Sequence, residues 1–382
     1  MQAPSNVGDR RRLLATSGGR QARPVPGGVD MVTAERNEAI QWLRALAATE
    51  VMVWHSDLLT KGFSSFSIQA SSYSPMGGIG VEVFFVVSGY LMSFITSTDA
   101  RAKPFVVGRI RRIFPLYWLF TLLVIGVYLA QPGWHLGGFE LTAGNVIQSM
   151  MLWPRDGYPI LTVGWTLEYE IVFYAMVTVF LASELALKGD LRIAFGPALA
   201  LLGLVGIILS DALRHQPALA HALSPYMFAF GIGWMLHGAR RSRAPAVVAA
   251  FVAFAVLAAA GWTIARGHDA VVLARCLLAG LGVAAVLAMR PLLVRTGPVH
   301  RLVATIGEAS YSIYLCHWFV LSALGKVLAR SGADAGADGV ARILGCLLAV
   351  GVGTVFFLRI ERPLDRKLRQ AERRASGIAV AT

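Results

Sequence analysis

Charge is scarce in this chain. Only 15% of its residues are Asp, Glu, Lys or Arg, where a soluble globular protein carries about a quarter. Cysteine is scarcer still: Cys276, Cys316 and Cys346 are the only three, each inside an apolar stretch. That excludes a disulfide framework and any cysteine spacing that suits a metal, and leaves them as small core hydrophobes. Residues 1–36 have no apolar segment of the kind a cleavable signal peptide needs. They are rich in Gly, Pro, Ser and Arg without helical periodicity, so a disordered tail is expected there. Met31 stands just ahead of the first motif, and a product starting there would lose nothing to which the sequence gives a role. No soluble domain is evident. Nor is there an internal repeat, which argues against a transporter built from inverted repeats.

What the chain has is apolar length. It is 56% hydrophobic, with a mean hydropathy of +0.60. Stretches near 39–59, 78–97, 113–131, 161–181, 192–209, 218–238, 245–265, 270–289, 303–326 and 341–359 can each cross roughly 30 Å of hydrocarbon. The expected fold class is therefore all-α: a polytopic integral membrane protein, a bundle of about ten transmembrane helices. A shorter apolar stretch, Leu141–Trp153, is expected as an interfacial helix inside the 132–160 connection. The expected organisation is a tail over 1–36, a membrane domain over 37–363 and a basic tail over 364–382. The net charge of +13 is a topology signal rather than a nucleic-acid signal. About three quarters of the 35 Lys and Arg fall on the side that holds both termini, among them Arg10 to Arg12, Arg109 to Arg112 and Arg366 to Arg374. The positive-inside rule makes that side cytoplasmic.

Ionisable residues inside apolar spans cost at least about 2.5–3.5 kcal/mol each on insertion scales, so those present carry information. Arg44 and His55 lie eleven residues apart in the first span. Eleven helical steps end about 20° past three turns, which puts both on one face, roughly 16 Å apart along the axis. They suggest a polar path through the bundle, or a pair of buried groups that pin neighbouring helices. Arg109 and Arg112 share a face where the third span begins, as a phosphate-gripping pair or as arginines that snorkel to headgroups. Glu82 follows Gly77, Gly78 and Gly80 near the outer end of the second span, and needs a cationic or hydroxyl partner such as Arg44. Glu168 and Glu170 sit about 200° apart on the fourth span and face different ways. Glu170, the deeper one, lies close to Trp165 and is the better candidate for sugar binding or proton transfer; an interhelical hydrogen bond is the alternative. Tyr311, Tyr314 and His317 recur at i, i+3 and i+6 on a broad stripe of the ninth span.

Taken in order, these segments resemble the membrane acyltransferase 3 family, in particular its exopolysaccharide-modifying (ExoZ-like) branch. The resemblance rests on Arg44 with His55; on Gly80-Val-Glu-Val-Phe-Phe-Val-Val-Ser-Gly-Tyr90; on Arg109-Ile-Arg-Arg112 followed by Pro115; on Trp165-Thr-Leu-Glu-Tyr-Glu170; and on Tyr311-Ser-Ile-Tyr-Leu-Cys-His317. Cys316 departs from the bulky residue common there, a change that touches packing more than chemistry. The resemblance implies transfer of an acyl group, usually acetyl from acetyl-CoA, to a carbohydrate hydroxyl. It implies His55 as base or acyl carrier and Glu170 as its catalytic partner. Arg44, Arg109 and Arg112 would hold the donor, and Glu82, Trp165, Tyr311, Tyr314 and His317 would meet the acceptor. No metal and no permanently bound cofactor are expected; acyl-CoA is a substrate. The expected partners are acyl-CoA, a carbohydrate or lipid-linked glycan, the bilayer and polysaccharide-assembly proteins, without nucleic acid. The expected location is a bacterial inner membrane, multi-pass. The alternative is a transporter or flippase for a lipid-linked saccharide with no acyl transfer.

The charge asymmetry makes a topological prediction. A cytoplasm-active reporter fused after Thr382 should work, and a periplasm-active reporter inserted near Gly157 should work. The reverse pattern would overturn the orientation and, with it, the direction from which a cytoplasmic donor enters.

Overall fold

The computed structural model describes residues 38–60, 78–98, 101–131, 140–183, 191–240, 242–289, 297–330 and 338–375. The N-terminal tail, Gly77 and the last residues of the C-terminal tail lie outside them. The described chain is mainly helical, as the run of long apolar segments predicts. In order it forms α1 (Glu38–His55), α2 (Gly80–Thr98), α3 (Ala102–Ala130), α4 (Ala143–Met151), α5 (Trp165–Ala182), α6 (Leu191–Ile208), α7 (Pro217–Ala222) and α8 (Met227–Gly238). Then follow α9 (Ala244–Ile264), α10 (Gly267–Ala288), α11 (Pro298–Glu308), α12 (Ser310–Arg330), α13 (Asp338–Phe356) and α14 (Arg362–Ala375). A π-helical turn, Phe357–Glu361, joins α13 to α14.

Among the described residues nine helical stretches are long and apolar enough to cross a membrane. The protein is thus an all-α polytopic membrane protein. The first expected span, α1, is not one of the nine, because its 18 residues include Glu38, Arg44 and Glu50. It instead lies inside the bundle, with Ala39, Ile40, Ala47, Ala48 and Met52 almost fully buried against α2, α11 and α12. By contrast α9 turns Val248, Val252, Val256 and Trp262 outward, an apolar face that suits lipid.

Three boundaries differ from the sequence expectation. The third span was expected from 113, but α3 begins at Ala102 and carries Arg109 to Arg112 on continuous helix; arginine is polar but a good helix former, and an apolar window misses such turns. The sixth, expected as one helix over 218–238, is broken between α7 and α8 at Pro225, which has no N–H to continue the ladder. The ninth, expected over 303–326, is two helices that part at Ala309. Of these, α11 bears His300, Arg301 and Glu308 and packs along α1. The expected interfacial helix is α4, capped by Thr142, whose hydroxyl accepts from Asn145 N at 3.2 Å.

The centre of the bundle is α2, which packs on α1, α8, α10 and α5. Its start is fixed by Glu50 of α1, whose carboxylate accepts from Gly78 N at 3.1 Å and Gly80 N at 2.8 Å. A carboxylate there answers the free N–H groups and the positive end of the helix dipole. Along α8 the two backbones nearly touch. A Cβ on Gly89 would stand 2.9 Å from the carbonyl carbon of Phe230, and one on Gly233 would stand 2.8 Å from Tyr90 N. Small residues at such crossings are the usual means by which helices associate in lipid, where apolar burial gives no drive.

This crossing generates a prediction. Gly233→Val should force α2 and α8 apart and destabilise the protein by about 1–3 kcal/mol, read as a lowered thermal midpoint in detergent. Gly126→Val, where a side chain meets open space on α3, is the control and should leave the midpoint unchanged. An unshifted midpoint in Gly233→Val would show that the two helices do not meet there.

Candidate active site

Between α1, α2, α3, α5, α12 and α14 lies a cavity of about 440 Å³. Its most basic wall brings Arg109, Arg111 and Arg112 of α3 opposite Arg362, Arg366 and Arg369 of α14. The placement of α14 depends on charge. Arg111 bonds Glu372 and lies 3.5 Å from Asp365, and Asp365 also accepts from Arg369 at 2.7 Å within the helix. The π turn adds a second tie. It carries Glu361, only 6% exposed, inward. One of its oxygens accepts from Arg112 Nη1 at 2.5 Å and the other from Ser312 Oγ at 2.5 Å. Arg109 is held differently: its guanidinium lies over the rings of Phe105 and Tyr174, 5.9 and 5.8 Å from their centroids, and its Nε has no hydrogen-bond partner among the described residues.

Further in, the cavity is lined by Arg44, Ser88, Thr166, Glu170, Tyr311 and Tyr314. Arg44 donates from Nε to Ser310 Oγ at 3.1 Å. Glu170 accepts from Ser88 Oγ at 3.1 Å and from Tyr174 OH. Tyr311 donates to Ile113 O at 2.8 Å and lies under Arg112, 5.3 Å from ring to guanidinium. Tyr314 closes this part, its hydroxyl bonded to Val163 O at 2.7 Å and to Thr166 Oγ1 at 2.8 Å.

His55 stands beyond Tyr314 and does not line the cavity. The ring of His317 lies 5.8 Å from that of Tyr314, and the ring of His55 lies 5.1 Å from that of His317. The hydrogen bonds assign the protons. His317 Nδ1 sits 2.6 Å from Tyr314 O, and a carbonyl can only accept, so Nδ1 carries the hydrogen. In the neutral ring Nε2 is then an acceptor, and it lies 3.1 Å from His55 Nδ1. His55 must therefore donate from Nδ1, which leaves the lone pair on its Nε2 free. Trp318 packs edge-on against the His55 ring at 5.2 Å.

Of the residues singled out by sequence, the structure brings Arg44, Arg109, Arg112, Glu170, Tyr311 and Tyr314 to one cavity, with His55 and His317 paired next to it. Arg44 and His55 do share a face, since both meet α12, at Ser310 and His317. Glu82 and Trp165 lie elsewhere. Glu82 is 1% exposed, with Arg275 and Glu50 as its charged neighbours rather than Arg44. Trp165 packs with Tyr169 and Tyr226 at 6.0 and 5.9 Å. Glu168 faces away from Glu170, as its 200° offset requires, and is matched by Arg155 at 3.6 Å and His221 Nε2 at 3.3 Å. Arg111, Glu361, Arg362, Arg366 and Arg369 also line the cavity, and no motif in the sequence assigns them to it. One signal was available: Asp365 and Arg369 at i, i+4 support a helix where a tail was expected.

Comparison with known proteins agrees with this architecture. The acyltransferase 3 family model, described as an acyltransferase domain, matches residues 37–358. An exopolysaccharide production protein, ExoZ, of Rhizobium meliloti (strain 1021) is 28% identical over 333 residues, covering 80% of this chain and 94% of that protein. No solved structure matches. A family model that spans the bundle, over a cavity built from the very segments that carried the resemblance, identifies this chain as a member of the acyltransferase 3 family.

Proposed function

We propose that the protein moves an acyl group, acetyl in the simplest case, from cytoplasmic acyl-CoA to a hydroxyl of a carbohydrate such as an exopolysaccharide or its lipid-linked precursor. It would act in a bacterial inner membrane with both termini in the cytoplasm. The observation that carries this reading is one cavity lined by arginines of α3 and α14, by Arg44 and Glu170 and by Tyr311 and Tyr314, with two histidines paired behind Tyr314. CoA is a polyanion on a long thin thiol arm. Guanidinium forks grip phosphates bidentately, and the inner part of the cavity, which Tyr314 closes, receives the arm. The relative from Rhizobium meliloti, named for exopolysaccharide production, supports the acceptor class. The acyltransferase family favours this over transport of a lipid-linked saccharide.

In this scheme His55 acts as general base. Its free Nε2 takes the proton of the acceptor hydroxyl while the oxygen attacks the thioester carbonyl. The tetrahedral intermediate collapses with loss of the CoA thiolate, and the proton on His55 passes to that sulfur. The products are the acylated sugar and CoA thiol. As His55 becomes imidazolium, its Nδ1–H stays on His317, and His317 stays on Tyr314 O. His317 is thus a positioning residue. Glu170, with Ser88 and Tyr174 on one oxygen, is left to orient Arg44 and Arg109 or the entering arm. Closure of the last gap requires Tyr314 or Phe84, which meet edge to face at 6.1 Å, to move aside.

Two sets of variants test this. His55→Ala should lower turnover of labelled acetyl-CoA by about 10²–10⁴-fold at normal membrane abundance. His317→Ala should lose less, and His317→Gln, which keeps an acceptor, should recover part of the loss. Full activity in His55→Ala would remove it from the mechanism. Arg109→Ala should weaken CoA binding by about 1.5–3 kcal/mol, the worth of a charge-assisted hydrogen bond. Arg112 is partly exposed, but Arg112→Ala strands buried Glu361. It should destabilise the fold by about 3 kcal/mol, and a second change, Glu361→Gln, should restore abundance without restoring CoA affinity. Unaltered CoA affinity in purified Arg109→Ala would sink the phosphate assignment.

A further inference from the structure

A second cavity, of about 690 Å³, shares no lining residue with the first. It lies between α4, the 152–161 segment and the start of α7, at the end of the bundle where α3 finishes and α5 begins. Its walls carry Trp153 and Tyr158, each 60% exposed, beside Asn145, Gln148, Asp156 and Arg155.

The segment that forms it is rigidly held. Ser149 accepts from Tyr117 OH at 2.9 Å through its carbonyl, and from Ile160 N at 3.0 Å through its hydroxyl. Trp118 Nε1 donates to Met150 O at 2.8 Å. Leu152, Ile160 and Leu161 are buried, and Leu152 takes a left-handed conformation at φ 51° to end α4. A loop so anchored keeps its aromatic side chains outward at a cost that packing does not require.

Arg155 gives the second indication. Its side chain is only 9% exposed and lines the cavity, with Nε 3.6 Å from Glu168; Nε and Nη2 are themselves covered by protein and have no hydrogen-bond partner among the described residues, which leaves Nη1 for the cavity. The carboxylate it faces, Glu168, is fully buried between Arg155 and His221, whose Nε2 lies 3.3 Å away. Buried polar groups in a folded protein normally find partners. Here His221 is the other neighbour, with its Nδ1 already given to Pro217 O at 2.7 Å.

We infer that this cavity is a docking subsite for sugar residues of the acceptor glycan, apart from the residue that receives the acyl group. A pyranose has an apolar C–H face and a rim of hydroxyls that both donate and accept. Trp153 and Tyr158 offer rings for the face. Asn145 and Gln148 offer both donors and acceptors, Asp156 acceptors and Arg155 donors for the rim. The volume falls in the range of about 300–1,000 Å³ usual for ligand sites. The inference rests on the proposed acyl transfer to a carbohydrate, and it gives that acceptor a second hold on the protein.

The test is equilibrium dialysis of purified protein with labelled oligosaccharides, made by partial hydrolysis and de-O-acylation of the producing cell's own surface polysaccharide. Trp153→Ala and Tyr158→Ala should each raise the dissociation constant by several-fold, up to about tenfold. Arg155→Gln tests the polar rim, and CoA dialysis with the same preparations reports that the fold is intact. Binding that depends on Trp153 in a protein without transferase activity would keep the subsite and sink the proposed reaction. Transfer with oligosaccharide affinity unchanged in all three variants would overturn the subsite and leave Trp153 and Tyr158 as members of an interfacial aromatic belt. Should Arg155→Gln fail to fold, the two exposed aromatic positions decide the matter alone.

Discussion

Glu361 is the side chain on which the basic cavity most depends. A carboxylate at that depth persists only if both oxygens are answered. Arg112 answers one and Ser312 the other, so a single residue ties the end of α13 to α3 and to α12. The π turn makes this possible. An α-helical step fewer would swing Glu361 off the interior face, and the extra residue in the turn re-aims it. With that tie in place α14 lies across α3, and two sets of arginines from distant parts of the chain face each other. Without the tie Arg109 and Arg112 would be ordinary interfacial arginines.

The same economy governs the interior. Several of the polar groups that line the cavity are matched by neighbours that also fix their geometry. Arg44 is aimed by Ser310, Glu170 by Ser88 and Tyr174, and Tyr314 by Thr166 and the Val163 carbonyl. The histidine pair is the sharpest case. A backbone carbonyl at one end sets the proton on His317, and His317 in turn sets the proton on His55. Tautomer choice thus propagates over two rings with no carboxylate in the chain, which keeps the pair neutral in a low-dielectric setting.

Much of this was legible beforehand, for a physical reason. Lipid makes charge expensive, so the few ionisable residues in apolar runs stand out in sequence, and helical periodicity says which of them share a face. That logic put Arg44 and His55 on one stripe and turned Glu168 away from Glu170, and the structure has both. It could not see contacts between elements. Nothing in the first 60 residues announces that Glu50 will cap α2, and nothing near Arg112 announces Glu361, some 250 positions later. Glu82 and Trp165 were grouped with the site because they sit in the family-like segments, but their side chains face α10 and an aromatic cluster instead. The aromatic cavity beside α4 has no signature in the sequence, because its residues are dispersed through a connection and have no period.

The way α14 is attached has a consequence of another kind. Its large apolar side chains are only Leu364 and Leu368; the rest is polar, charged or small. A helix so polar gains little from packing and is held chiefly by ion pairs, those of Arg111 with Asp365 and Glu372 at its flank and of Glu361 at its root. Partly exposed pairs of this type are screened within a Debye length of about 8 Å at physiological salt. The apolar bundle is indifferent to ionic strength, but this wall of the cavity is not. The protein therefore carries an ionic latch, sensitive to salt, on an apolar body that salt does not reach.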